Sequence, residues 1–236
     1  MKRKWLVSVV AVLWALSSQA EDGDFPSVVG GSTVAPRENV LEFGLGHSDL
    51  LSVGWRHGVS SAIELGLVGG ATFGYRGLLF AGGGDVSGSA LGARLQGRLK
   101  ARLFEVGVVS LGLSFEPGLS YSMWRVGSIP STPRIGALGV ELPVALKLGL
   151  ALSERTTLGF RVEVPFFLEL WARDGGPASL QPLSTFAYGP RVGAGIEHAL
   201  SQSVLLFLHV RVGLLNIVRE TTIDGQLGLA WRLPGA

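Results

Sequence analysis

The chain has no cysteine in its 236 residues. That excludes a disulfide framework, thiol catalysis and cysteine-ligated metal. Lysine is almost missing as well. Beyond Lys4 only Lys100 and Lys147 occur, whereas a soluble surface normally carries more Lys and Glu. Long apolar runs are also lacking. Mean hydropathy is +0.40, yet past the N-terminus no apolar stretch reaches the about 20 residues that a membrane helix needs. High hydropathy without such a run requires either strict alternation or a large buried core.

The one apolar run is N-terminal. Lys2, Arg3 and Lys4 precede the apolar stretch Trp5–Leu16, and Ser18 and Ala20 are small residues where a signal peptidase reads. Residues 1–20 are therefore predicted to be a cleaved secretory signal, with Glu21 starting the mature chain. Three basic residues leave with it, so 17 basic face 18 acidic residues. The basic isoelectric point belongs to the precursor. No polybasic surface remains, and nucleic acid is not expected as a partner.

What fills the chain instead is alternation. Leu138, Val140, Leu142, Val144, Leu146, Leu148 and Leu150 share one parity, while Glu141, Pro143, Ala145 and Lys147 share the other. Leu158, Phe160, Val162, Val164, Phe166, Leu168 and Leu170 then repeat the pattern against Arg161, Glu163, Pro165 and Glu169. Period two means β-strand, because successive side chains leave opposite faces of a sheet. These runs exceed the about 5–6 residues of an ordinary strand. They suit a bilayer, which a tilted strand crosses in about 9–11 residues.

Ten strands are predicted, at residues 38–47, 50–57, 62–69, 91–103, 108–121, 135–150, 157–171, 185–198, 204–215 and 222–233. Short links (58–61, 104–107, 151–156, 199–203) alternate with long ones (70–90, 122–134, 172–184). Residues 47–49 and 216–221 complete the long-loop side as short loops. Short periplasmic turns and longer outer loops are the habit of membrane barrels. The expected fold is all-β: an antiparallel, up-and-down transmembrane barrel over residues 38–233, with residues 234–236 as a tail. Twelve strands would require a hairpin inside residues 70–90. Eight would leave two strong alternating runs unused. Residues 21–37, rich in Gly, Pro and Asp, are expected to be a periplasmic linker that hangs free or tucks into the lumen. Aromatics fall near strand ends: Trp55, Phe104 and Trp231 at one end, and Phe73, Tyr121, Trp124, Phe166, Trp171, Phe186 and Tyr188 at the other. Two such belts would anchor a barrel at both headgroup layers.

Two stretches resemble bacterial outer-membrane barrels of the small OmpA/OmpX-like or porin-like kind. Residues 54–67 resemble their strand–tight turn–strand unit. The last strand resembles their C-terminal assembly signal, with Gln226, Gly228, Trp231 and Leu233 in its polar, glycine and hydrophobic places. The departure is Pro234-Gly235-Ala236, since that signal normally closes the chain. The resemblance implies a Gram-negative outer-membrane location, with membrane lipid and the barrel-assembly machinery as partners.

The polar parity is rich in charge. Glu42, Arg56, Glu64, Arg94, Arg98, Glu116, Glu141, Lys147, Arg161, Glu163, Glu169, Arg191, Glu197, Arg211 and Asp224 are expected to point inward. In a narrow lumen opposite charges must pair, because an unpaired buried charge is costly. Barrels of about eight strands are filled by side chains, and aqueous channels come with about 16–18. A filling ion-pair network is therefore expected over a charged pore constriction. A small structural or transport-related protein follows, with a narrow channel for a small solute as the alternative. An outer-membrane hydrolase or surface-loop binder is a further alternative. His47-Ser48-Asp49, with Asp85, is the nearest approach to a catalytic cluster, but adjacent strand residues point to opposite faces. His57, His198 and His209 do not make a metal spacing. Gly82-Gly83-Gly84 lacks the Lys-Ser/Thr of a phosphate loop. No catalytic residue, metal or cofactor is assigned.

Overall fold

A computed structural model of the protein describes residues 25–47, 49–79, 85–125, 134–173, 185–215 and 220–233. The expected signal peptide, residues 21–24, Ser48 and the tail 234–236 lie outside the described residues.

Fourteen β-segments follow one another: β1 (Asn39–Gly46), β2 (Asp49–Gly58), β3 (Ile63–Leu79), β4 (Asp85–Val106), β5 (Val109–Phe115), β6 (Gly118–Arg125), β7 (Arg134–Glu141), β8 (Val144–Ser153), β9 (Thr156–Val164), β10 (Phe166–Arg173), β11 (Thr185–Tyr188), β12 (Arg191–Ala199), β13 (Val204–Leu215) and β14 (Glu220–Leu233). All pairings between them are antiparallel. Four staves of the wall come in two pieces each: β5 with β6, β7 with β8, β9 with β10, and β11 with β12. Ten staves result. β1 pairs β14, and every stave has a neighbour on both sides, so the sheet is closed. Closure is what lets a sheet stand in hydrocarbon, since no backbone edge is left unpaired.

The expected alternation holds along each stave, but the burial is inside out relative to a soluble protein. Leu142, Val144, Leu146, Val162, Val164, Val210 and Val212 are exposed on the outer face. The largest fully buried side chains include Arg56, Lys100, Lys147, Glu64, Glu163 and Glu197. An apolar exterior around a charged interior is the arrangement of a barrel whose solvent is lipid. Several of the aromatics lie towards the two ends; the side chains of Trp124 and Trp171 lie outside the description. Trp55 and Trp231 flank Leu41 in one row across β2, β1 and β14. Phe166 faces Tyr188, and the Phe186 and Tyr188 rings lie 6.2 Å apart, in the half of the wall away from the tight turns.

Two features differ from the sequence expectation. Residues 70–90 are mostly strand: β3 and β4 pair continuously from Ile63↔Ala101 to Leu79↔Asp85, a hairpin longer than the neighbouring staves. Four staves are also broken at one level of the wall, at Pro117, Pro143, Pro165 and Pro190. Register is kept across each break, as Gly118↔Glu141 continues Phe115↔Val144. Pro143 thereby sits opposite Pro165, between the Val144↔Val164 pair and the Leu142–Phe166 hydrogen bond. Proline cannot donate to a ladder, so a row of prolines interrupts the segments without displacing the staves.

The linker takes the second of its two expected places. Residues 25–37 lie inside the barrel, not below it. Ser27, Val28, Val29 and Val34 are buried. The segment leaves the lumen through a sharp reversal at Arg37, which has φ of 66°. There Glu38 N–H donates to Ala35 O at 3.0 Å and Arg37 N–H donates to Gly58 O at 2.8 Å.

Candidate functional site: the plugged lumen

The lumen has two storeys. At the tight-turn end it is filled by the N-terminal segment, which we call the plug. Val28, Val29 and Val34 form an apolar cluster with Val40, Leu205, Phe207 and Ala230 from the inner wall. Phe25 packs against that cluster. Its ring also lies under the Arg232 guanidinium, 5.1 Å from the centroid.

Wall charges read the plug's backbone. Glu197 accepts from Ser27 Oγ at 2.6 Å and from the Val29 amide. Glu64 accepts from the Val34 amide at 2.9 Å. Lys100 Nζ donates to Ser27 O at 2.8 Å, and Arg56 Nη1 to the same oxygen at 3.1 Å. Carboxylates thus take the plug's amides and cations take its carbonyls. An extended segment inside a barrel has no ladder of its own, and these contacts satisfy the polar groups of Ser27, Val29 and Val34.

Glycines in the inner wall make the room. Gly30 and Gly31 lie against Gly112 and Gly149: a Cβ on Gly112 would stand 2.8 Å from Gly31 O, and one on Gly31 would stand 2.7 Å from the Leu111 backbone. A Cβ on Gly159 would meet Val29 at 2.5 Å. Backbone lies on backbone, which only missing side chains permit.

Above the plug runs a chain of ion pairs. Arg56 bridges Glu42 and Glu64. Arg98 joins Glu42 at 3.1 Å and approaches Glu116 at 4.0 Å. Glu116 also receives Lys147 and Arg161, each at 2.9 Å. Arg161 and Arg191 meet on Glu163. Arg94 pairs with Asp49 and Arg211 with Asp224. Buried this deeply, each charge depends on its partner, and removing one member of a buried pair costs about 3–5 kcal/mol.

Of the inward charges expected from sequence, the side chain of Glu169 lies outside the description. Glu141 is buried on the inner face, and the others take part in the contacts above. Two members escaped the sequence reading. Lys100 sits at the inward position of β4 paired with Glu64. Asp49, assigned there to a loop, opens β2 and is committed to Arg94. Its carboxylate is therefore engaged inside the barrel, away from the His47-Ser48-Asp49 cluster considered for catalysis. The plug left one signal in the sequence: Val40, Leu205, Phe207 and Ala230 put apolar side chains on the charged parity, where something apolar must meet them.

A cavity of about 60 Å³ lies over the plug. Val28, Val29 and Phe207 floor it, and Arg94, Arg98, Lys147, Arg161, Arg211, Glu42, Asp49 and Glu116 contribute to its walls. A water needs about 10–15 Å³ by this measure, so the space suits a few waters. A second cavity of about 50 Å³ lies on the other side of the plug, among Phe25, Ser27, Glu105, Glu154 and Glu197.

A closed antiparallel barrel with an apolar outer face, two aromatic ends and a charged lumen is an outer-membrane β-barrel by fold. The translocator domain of the autotransporter NalP from Neisseria meningitidis is similar to it, with a TM-score of 0.51 and 11% identity over 98% of this chain and 97% of that one. The outer membrane protease OmpT from Escherichia coli gives a TM-score of 0.49 at 10% identity, over 83% of this chain and 95% of that one. No family model and no curated protein sequence matches the chain.

Proposed function

We propose that this protein is a small integral protein of the Gram-negative outer membrane, structural or transport-related, and without catalytic activity. The signal peptide of residues 1–20 exports it and is cleaved after Ala20. Gln226, Gly228, Trp231 and Leu233 present the closing strand to the barrel-assembly machinery. The tight turns face the periplasm, so the plug fills the periplasmic half of the lumen, and membrane lipid covers the outer face.

One observation carries this reading: among the described residues, the plug and the ion pairs fill the lumen at the tight-turn end. The cavities there, about 60 and 50 Å³, each hold only a few waters. Inward charges are consumed by one another, with Glu116 holding three cations. A group already locked in such pairs is a poor proton donor or nucleophile. The same charges fix the staves against one another.

Planar-bilayer recording of the purified mature protein tests it. Silence, or rare brief openings, is expected. A large steady conductance would sink the closed-lumen reading and make the inward charges a selectivity device.

A further inference from the structure

The plug separates two cavities. The upper one rests on Val28 and Val29 and the lower one on Phe25, Ser27 and Ser32, so residues of the same short segment floor one and roof the other. They have no lining residue in common. The plug also lies in a bed cleared for it. Gly112, Gly149, Gly159 and Gly195, one from each of four staves, leave no side chain beneath it. A wall that needed only to be full would carry larger residues there.

The plug is held in the lumen by polar contacts and by its small apolar cluster, with no cross-link to the wall. Its carbonyls stand in for missing carboxylates. The chain of ion pairs from Lys100 to Arg191 contains six cations (Arg56, Arg98, Lys100, Lys147, Arg161 and Arg191) and only four carboxylates (Glu42, Glu64, Glu116 and Glu163). Arg56 and Lys100 make up the difference by donating to Ser27 O. Water can replace such contacts once the segment leaves, because charged side chains rehydrate readily. The ladders of the wall do not run through the plug, since each stave is paired with its two neighbours.

We propose that residues 25–37 are a releasable plug, and that the barrel without them is a continuous water-filled passage. The proposal rests on the closed-lumen reading above and adds what closes it. The passage would join the two cavities along the glycine bed. Counting also Arg94 with Asp49, Arg211 with Asp224, and the buried Glu141 and Glu197, its wall carries eight cations and eight carboxylates, so it suits small hydrated solutes of either charge and discriminates weakly between them.

The test is bilayer recording of three proteins, each checked for folding by heat-modifiable gel mobility. The full chain should be silent. A variant lacking residues 25–37 should show regular conductance steps, with a reversal potential near zero in a salt gradient. A synthetic peptide of residues 25–37 should close it again in a concentration-dependent way, and a scrambled peptide should not. A third protein, Val29→Asp, keeps every wall residue and sets a carboxylate beside Glu197. It should open intermittently. It also decides the matter if the deletion variant does not fold. Folded deletion and Val29→Asp proteins that both stay silent would overturn the plug while leaving the closed-lumen reading intact. A full chain that conducts steadily, unchanged by the deletion, would overturn both.

Discussion

The side-chain amide of Gln96 donates to the backbone carbonyl of Glu116 at 2.9 Å, taking the place of a ladder bond that Pro143 cannot make. Glu116 N–H donates to Pro143 O at 3.0 Å. In an antiparallel pair the partner residue normally returns that bond, but proline has no N–H. Gln96, on β4 across the intervening stave, supplies the donor from inside the lumen. A break in the wall is thus mended by a side chain.

Replacing Gln96 by Leu should leave that carbonyl without its donor at a buried site. The expected loss is about 1–3 kcal/mol, read as a lower temperature for the heat-modified shift on gels. Pro143→Ala restores a backbone donor to the same oxygen. The double variant should therefore recover part of the loss, and equal losses in single and double variants would show that the carbonyl is satisfied in another way.

Glu116→Gln should be the most damaging single change in the lumen. It strips the carboxylate from Lys147, Arg161 and Arg98 at once. Breaking a buried pair from one side costs about 3–5 kcal/mol. Glu154→Gln, at the exposed turn between β8 and β9, should cost little. Urea titration of refolded barrels in detergent would compare the two.

Val164→Arg should impair insertion. Val164 is exposed on the outer face and pairs with Val144, so its side chain points away from the lumen. Arginine on a lipid-facing strand near the bilayer middle costs about 2–4 kcal/mol. The membrane-inserted fraction should fall well below that of a variant in the turn at Arg155. Equal insertion would place this face away from lipid.

Truncation after Ala230 should abolish assembly. Trp231, Arg232 and Leu233 pair with Leu41, Val40 and Asn39, so their loss opens the seam between the first and last strands. Arg232 also reaches Glu38 at 3.5 Å. An open edge cannot persist in hydrocarbon. Normal heat-modifiable mobility of the truncated chain would show that closure does not need these residues.

Much of the wall was legible in the residues themselves. Period-two alternation determines which side chains share a face, and in lipid the apolar parity must be the outer one. That is why the outward positions of Val144, Val162 and Val210 and the inward positions of Glu42, Arg161 and Glu197 follow from parity alone. The strand count follows because each tight turn reverses the chain. The hairpin of β3 and β4 was less legible, since Gly74, Gly77 and Gly88 suggest a loop, whereas pairing with a partner strand overrides weak local propensity. Position along a strand is local information, but partnership across the lumen is not. Nothing near Ser27 in the sequence points to Glu197, and nothing near Gln96 points to the break at Pro143. Those pairings exist only once ten staves close at a particular radius and register, because closure alone decides which inward side chains stand within hydrogen-bond reach. The sequence by itself determined a membrane barrel with a charged interior. The tertiary structure decided that residues 25–37 lie inside it, because only the closed wall brings four separated glycines together into a bed for them.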